Sequence, residues 1–261
     1  MNVGPHSSFR SPTAHRNRML EILDGHEFAP SELGENLREI RLINRGLGWR
    51  RTTLRELIRV VEQERLTSFS YLDVATGSGD LPLALLKQAN RRGWPIDAHA
   101  LDLNPAILEE ARRYLGNAPV SLHLGDGRAL PFAGGTFDIV TCVLSLHHLP
   151  PDDAVVLLRE LARVSRRAWI LVDLERSLPA YLGARWLRVL LRNRLTLHDA
   201  PASILRAYTL TELQTLLDRA GVPSAGVTRQ FPFRLVVRGV AGAGALAQAP
   251  HPLPVRPWRT V

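Results

Sequence analysis

The run Tyr71-Leu72-Asp73-Val74-Ala75-Thr76-Gly77-Ser78-Gly79-Asp80-Leu81 decides the fold. An apolar stretch, a glycine pair and the start of an amphipathic segment follow one another without a break, which predicts strand, turn and helix. Glycine suits such a turn because the backbone must bend tightly and approach a ligand with no Cβ in the way, and the next helix opens with unsatisfied N–H groups. The same texture recurs downstream. Apolar runs predict strands at 70–75, 96–101, 120–124, 137–143 and 168–172, with amphipathic helices at 81–92, 105–115 and 152–164 between them. Right-handed crossovers leave few arrangements for five such repeats other than a doubly wound α/β sheet, in which ligands bind where the strand order reverses.

Outward from this core the pattern changes. Residues 16–66 read as two or three helices, with Met19, Leu20, Leu23, then Leu33, Leu37, Ile40, Ile43, Leu47, then Leu54, Leu57, Ile58, Val61 at helical spacing and Ser31 as a candidate N-cap. The first fifteen or so residues are rich in Ser, Pro, His and Gly and are expected to be loose. After residue 173 an apolar, arginine-bearing stretch at 178–195 precedes a helix at 211–220 closed by Gly221, and strands at 225–230 and 234–239 complete a sheet of seven. The expected organisation is an N-terminal helical cap over 1–66, a Rossmann-like, mostly parallel seven-stranded domain over 67–240 with helices on both faces and a lid insertion at about 175–207, and a disordered Pro-rich tail over 241–261.

Composition narrows the classes. The 261 residues, 45% hydrophobic and 22% charged, are those of a globular chain with one large domain and one expected active site. No apolar run approaches the roughly 18–20 residues of a bilayer span. The first eight residues lack the n- and h-regions of a secretory signal, so the cytoplasm is the expected compartment. The one cysteine, Cys142, excludes an intramolecular disulfide and a Cys-based zinc site, and the nine histidines show no ligand spacing; no metal is expected. The net charge of +8 is uneven: residues 67–173 hold 10 basic against 12 acidic side chains, whereas 174–261 hold 12 arginines against 4 acids. Lys87 is the only lysine among 33 basic residues, a bias that a GC-rich genome imposes through arginine codons whatever the function.

The glycine pair could open a dinucleotide site, but its third glycine position falls on Pro82, which lacks an N–H and cannot give the close helix packing required. Asp73 just before the turn would repel a pyrophosphate and attract an ammonium or sulfonium group. Three more segments follow in order. Ala100-Leu101-Asp102-Leu103-Asn104-Pro105 ends the second strand on a carboxylate able to accept both ribose hydroxyls, while Asn104 caps the next helix ahead of Pro105. Leu124-Gly125-Asp126-Gly127-Arg128 follows the third strand, where Asp126 could equally be a turn residue. Thr136-Phe137-Asp138-Ile139-Val140-Thr141-Cys142-Val143-Leu144-Ser145-Leu146-His147-His148 is a strand running into a loop.

These four segments over about 69–173 resemble class I S-adenosylmethionine (SAM)-dependent methyltransferases, and the wording Leu-Asp-Val-Ala-Thr-Gly-Ser-Gly-Asp-Leu is close to their ubiquinone/menaquinone C-methyltransferase-like branch. The resemblance implies SAM as cofactor. It implies that Ala75, Thr76, Gly77 and Gly79 lie against SAM, that Asp73 supports its methionine amine, that Asp102 and Leu103 take the ribose, that Asp126 and Gly127 meet the adenine, and that Cys142 and Val143 border the site. Free cysteines are usually buried packing residues, and Cys142 reads better as one of these than as a nucleophile.

Methyl transfer needs alignment, plus a base where the acceptor carries a proton, and histidine suits a phenol or enolisable carbon. His147 is one candidate, against a packing role under Pro150-Pro151; His198 beside Asp199 is another, against an exposed polar loop. The Leu178, Tyr181, Leu182, Trp186, Leu190 stripe suggests a lid over a small lipophilic acceptor, phenolic, quinol or polyketide-like, or else simple core. Two other classes compete. A nucleic-acid methyltransferase would account for the basic last third, but no nucleic acid is expected because no interleaved aromatic and basic module or base-flipping motif is present. A membrane-surface protein would use Arg185, Arg188, Arg192 and Arg194 of the 178–195 stretch for peripheral contact. Acceptor identity, the atom methylated and oligomeric state are not legible.

Overall fold

A computed structural model describes residues 12–17, 30–186, 193–222 and 226–240. Seven strands form one sheet: β1 (Phe69–Val74), β2 (Ile96–Asp102), β3 (Val120–Leu124), β4 (Phe137–Val143), β5 (Ser165–Leu174), β6 (Gly226–Gln230) and β7 (Arg234–Val240). Their order is β3-β2-β1-β4-β5-β7-β6. Strands β1 to β5 run parallel, and β7 lies antiparallel between β5 and β6. The chain winds outward from β1 to β3 and then returns to β4 on the other side of β1. The loops leaving β1 and β4 therefore diverge and open a crevice at their carboxyl ends.

Alternation along the strands supplies two cores. Leu72, Val74, Val140, Cys142, Trp169 and Leu171 face helices α5 (Pro151–Val164) and α8 (Leu210–Ala220). Tyr71, Ile139, Ile170 and Val172 face α2 (Trp49–Gln63) and α3 (Asp80–Arg92). Both faces are covered, so the strands read as continuous apolar runs. Helix α4 (Pro105–Leu115) starts as its sequence predicts, with Asn104 Oδ1 accepting the Ala106 N–H at 2.9 Å. A capping box between Thr209 and Glu212 opens α8, and Gly221 closes it at φ 72°.

Helices α1 (Pro30–Gly46) and α2 divide the expected N-terminal cap in two. Through Trp49, Leu57, Val60 and Val61, α2 belongs to the core on the sheet. The buried Arg234 guanidinium ties the α1–α2 corner to β7, donating to the carbonyls of Leu47 and Gly48 and to Thr52 Oγ1 and lying 5.0 Å from the centroid of the Trp49 ring. The expected helices around Met19, Leu20 and Leu23 and the tail over 241–261 lie outside the described residues.

In the stretch expected as a lid insertion, α6 (Leu178–Trp186) is followed by α7 (Arg194–Arg206), with 187–192, and hence Arg188, Leu190 and Arg192, outside the described residues. The segment around His198 read as a polar loop is thus helical. Pro201 sits inside α7 and obscures its period, whereas Asn193 Oδ1 caps it by accepting the Leu195 N–H at 2.9 Å.

The β5–β7 pairing places Gly239 opposite Trp169, which is 1% exposed. A Cβ at Gly239 would stand 2.1 Å from the indole Cε2. Gly239→Ala is therefore expected to cost about 2–3 kcal/mol through overpacking. A melting temperature lower by roughly 5–10 °C would report it; an unchanged one would contradict this packing.

Candidate functional site

The crevice is a cleft of about 1560 Å³ whose walls include Asp73, Gly77, Asp102, Asp126, His147 and the α1 residue Ile40. The loop after β1 is shaped by left-handed backbone at Ala75 (φ 57°), Gly77 (φ 55°) and Gly79 (φ 72°). Gly79 has a second reason to be glycine, since a Cβ there would come within 3.1 Å of Leu115. Ala75, and Leu144 at φ 54° beyond β4, hold this conformation without being glycine, and both line the cleft. Such strain costs on the order of 1–3 kcal/mol per residue and clusters at functional sites.

Buried carboxylates hold the loop. Asp73, 3% exposed, accepts the Thr76 hydroxyl at 2.8 Å and the Thr141 hydroxyl at 2.6 Å, and Tyr71 Oη lies 2.7 Å from Thr141 Oγ1. Burial pushes the Asp73 carboxyl up to about 7 despite those hydroxyls. Asp102 accepts the Gly77 N–H at 2.9 Å and the Asn104 N–H at 3.1 Å. It too is raised by burial, against the backbone donors that favour its charged form. Burial likewise raises Asp80 at the start of α3, opposed by Arg50 and Arg41.

Asp126 is differently placed. The buried Arg128 donates to it through Nε at 3.0 Å, Nη2 at 2.6 Å and its backbone N–H at 2.8 Å, and reaches Asp153 through Nη1 at 2.6 Å. The carboxylate that the resemblance assigns to adenine is thus already engaged in an ion pair. Cys142 is fully buried within the sheet's core and is not among the residues that wall the cleft, whereas Val143, Leu103 and Gly127 are. Burial pushes its thiol far above the usual range.

The two histidine candidates separate. His147, 3% exposed in a 3₁₀ turn at Leu146–His148, lines the cleft, and its Nδ1 lies 2.7 Å from Asp173 Oδ1. Asp173 also accepts the His147 N–H at 3.1 Å and the Leu174 N–H at 2.6 Å. Burial would raise Asp173, but His147 and these N–H groups outweigh it and hold the carboxyl below its ordinary value. His198 turns its ring to Asp199 Oδ1 at 2.9 Å, is 41% exposed and does not line the cleft; Asp199 does.

Several site groups lacked a sequence signal. Arg16 donates to the carbonyls of Arg206 at 2.5 Å and of His147 and Leu149 at 2.8 Å, and lies 4.3 Å from the Tyr208 ring centroid. It ties residues 12–17 across the cleft edge, where the sequence reads as loose up to about residue 15 and helical from Arg16, and the described backbone is turn and irregular throughout. Asn36 of α1 donates to Thr196 Oγ1 of α7 at 3.0 Å, joining the two helices above the cleft. These partners lie more than 130 residues apart in sequence, beyond the reach of any local motif.

Asp73 and Asp102, near the ends of β1 and β2, both line the cleft, where a carboxylate could pair with an amine or sulfonium and accept from paired hydroxyls. With the four loops in this order, fold and site resemble those of class I SAM-dependent methyltransferases. The chain matches, over residues 72–168, the family described as methyltransferase domain. It is 30% identical over 156 residues to a demethylmenaquinone methyltransferase of Anoxybacillus flavithermus, covering 59% of this chain and 61% of that one. It is 28% identical over 187 residues to one from Geobacillus kaustophilus, covering 70% and 67%. The matched stretch thus spans about three-fifths to two-thirds of those relatives. In fold it is similar to a SAM-dependent methyltransferase from Aquifex aeolicus (17% identity, TM-score 0.53, 83% of this chain and 100% of that one). It is also similar to the magnesium protoporphyrin IX methyltransferase of Synechocystis PCC 6803, solved with SAH (19% identity, TM-score 0.52, 75% and 84%).

Pairing a cation with Asp73 requires its ionised form. SAM affinity measured by calorimetry is therefore expected to be level above the carboxyl's value of about 7 and to fall below it by up to about tenfold per pH unit. Asp73→Asn should bind more weakly at alkaline pH and lose that dependence; a flat wild-type profile would contradict the pairing. Asp102→Ala, which also frees the Gly77 amide, should weaken SAM by roughly ten- to a hundredfold.

Proposed function

We propose that the chain transfers the methyl group of SAM to an oxygen or carbon nucleophile of a small, lipophilic, quinol-like or phenolic acceptor. One observation carries this reading: the cleft that holds Asp73 and Asp102 continues between Leu37, Ile40, Ile43, Trp49, Leu144 and Phe233. The same cleft thus combines carboxylates suited to a cationic, hydroxylated ligand with side chains suited to an apolar one. The named activity of the demethylmenaquinone methyltransferases supports a quinol-like acceptor.

When bound, SAM supplies an activated methyl, so the chain's own tasks are alignment and proton handling. Asp73, Asp102 and the Gly77–Gly79 turn would hold the cofactor. The apolar wall would bury the acceptor's carbon skeleton, at roughly 25 cal/mol per Å² removed from water. His147 would take the acceptor's proton. The Asp173 carboxylate, 2.7 Å from Nδ1, keeps a proton on that nitrogen, makes Nε2 the basic one and stabilises the imidazolium once formed. His198, outside the cleft, takes no part in this scheme.

Labelled SAM and a panel of phenols and quinols with alkyl tails of increasing length test the reading. Labelled product is expected, with kcat/KM rising with tail length; label on nucleic acid in place of the panel would overturn it. His147→Ala should lower kcat on the order of 10²–10⁴-fold while SAM still binds. His198→Ala should stay within about twofold of the parent, as surface changes away from a site usually do.

A further inference from the structure

Two surface features adjoin the mouth of the cleft, and of their residues only Phe233 enters the scheme above. The first is apolar. The turn between β6 and β7 carries Phe231, 89% exposed, and Phe233, which borders the cleft, while Leu42 and Leu47 are exposed along the end of α1 and just beyond it. The second is cationic: Arg45, Arg50, Arg51, Arg55, Arg59 and Arg92 surround a shallow depression of about 710 Å³. Glu62 is the one acid among its lining residues, and it pairs with Arg92. Leu54 and Ile58, only partly buried, lie between the arginines.

The two features are continuous. Arg50 lines both the cleft and the depression. Arg234 Nη1 donates to the Gly48 carbonyl at 3.1 Å and Gln230 Nε2 to Glu56 Oε1 at 3.4 Å, which holds the residues flanking Phe231–Phe233 against the first turns of α2. An aromatic tip beside a cluster of arginines matches the layered chemistry of a bilayer surface, where rings and aliphatic side chains enter the interface and guanidinium groups meet phosphates. A nucleic-acid groove would be more polar and would not place exposed leucines among its cations.

We propose that this face docks on an anionic phospholipid bilayer, with Phe231 in the interface and Arg51 and Arg55 at the headgroups, so that the cleft opens toward the membrane. Docking stands independently of the chemistry; that it delivers a lipophilic acceptor rests on the function proposed above. The surface is distinct from the 178–195 stretch singled out in the sequence, of which α6 contributes exposed Leu178, Leu182 and Trp186.

Co-sedimentation of the full chain with phosphatidylcholine vesicles, with and without phosphatidylglycerol, at low and high salt tests the proposal. Binding is expected only with phosphatidylglycerol present and should weaken with salt. Arg51→Gln and Arg55→Gln should each weaken it roughly fivefold, Phe231→Ser should weaken it further, and all three should keep the parent's SAM affinity, which shows them folded. Equal sedimentation with both vesicle types, or variants that sediment like the parent, would overturn it. So would retention of RNA, lost in the arginine variants, by a protein that ignores vesicles. The vesicle comparison reads docking without any turnover, so failure here and failure of the methyl-transfer reading are separately visible.

Discussion

Two carboxylates kept almost out of water at the ends of adjacent parallel strands govern the rest of this molecule. Asp73 and Asp102 are 3% and 7% exposed, and a buried carboxylate is costly unless donors are aimed at it. The donors come from the loop itself: the Thr76 hydroxyl and the Gly77 amide, with Thr141 from the neighbouring strand. Satisfying the charges thus fixes the turn between β1 and α3, and the turn's left-handed residues follow from that closure. The donors do not restore Asp73 to an ordinary carboxyl, which remains raised to about 7. A bound cation would complete what the protein's own groups leave undone, and this links the stability of the loop to the class of ligand it takes.

The opposite wall obeys a different rule. Helices α1, α6 and α7 reach over the cleft, α1 being tied to α7 and its cap by Asn36 to Thr196, Glu32 to Arg194 and Glu39 to the Asn193 amide, while Arg16 holds three carbonyls at the cleft edge. Toward the cleft they present Leu37, Ile40, Ile43 and Ala184, and an apolar wall of this kind discriminates ligand shape less sharply than a hydrogen-bonded pocket would. The His147–Asp173 pair joins the two regimes. Asp173 ends β5 on the rigid sheet, so the imidazole is oriented by the same scaffold that positions the carboxylates, while its 3₁₀ turn is tied to the N-terminal segment through Arg16.

Sheet and cofactor loop were legible because their physics is local. Strands buried on both faces read as apolar runs, and Asp73, Gly77, Gly79 and Asp102 lie at strand ends where the chain itself prescribes turn and cap. What escaped was decided across space. Nothing near Asp126 except the arginine two residues on hinted that it would be clamped by Arg128 and linked to Asp153. His198 next to Asp199 suggested a dyad facing the acceptor, but α7 turns the histidine outward and the aspartate inward, as neighbours on a helix must. The histidine that lines the cleft, His147, pairs instead with Asp173, 26 residues away, and the two are brought together only because β4 and β5 are neighbours. Pro201 hid the helical period of α7, and α2, read as part of a cap, proved to be a layer of the main core.

A single-turnover experiment bears most directly on this account: the protein, loaded with one equivalent of methyl-labelled SAM, is mixed with excess alkylated quinol and quenched over time. The account predicts that the label leaves the cofactor and appears on the quinol in a stoichiometry approaching one per protein, at a rate that falls steeply in His147→Ala. Label that stays on the cofactor, or that moves to the protein with the quinol untouched, would contradict it.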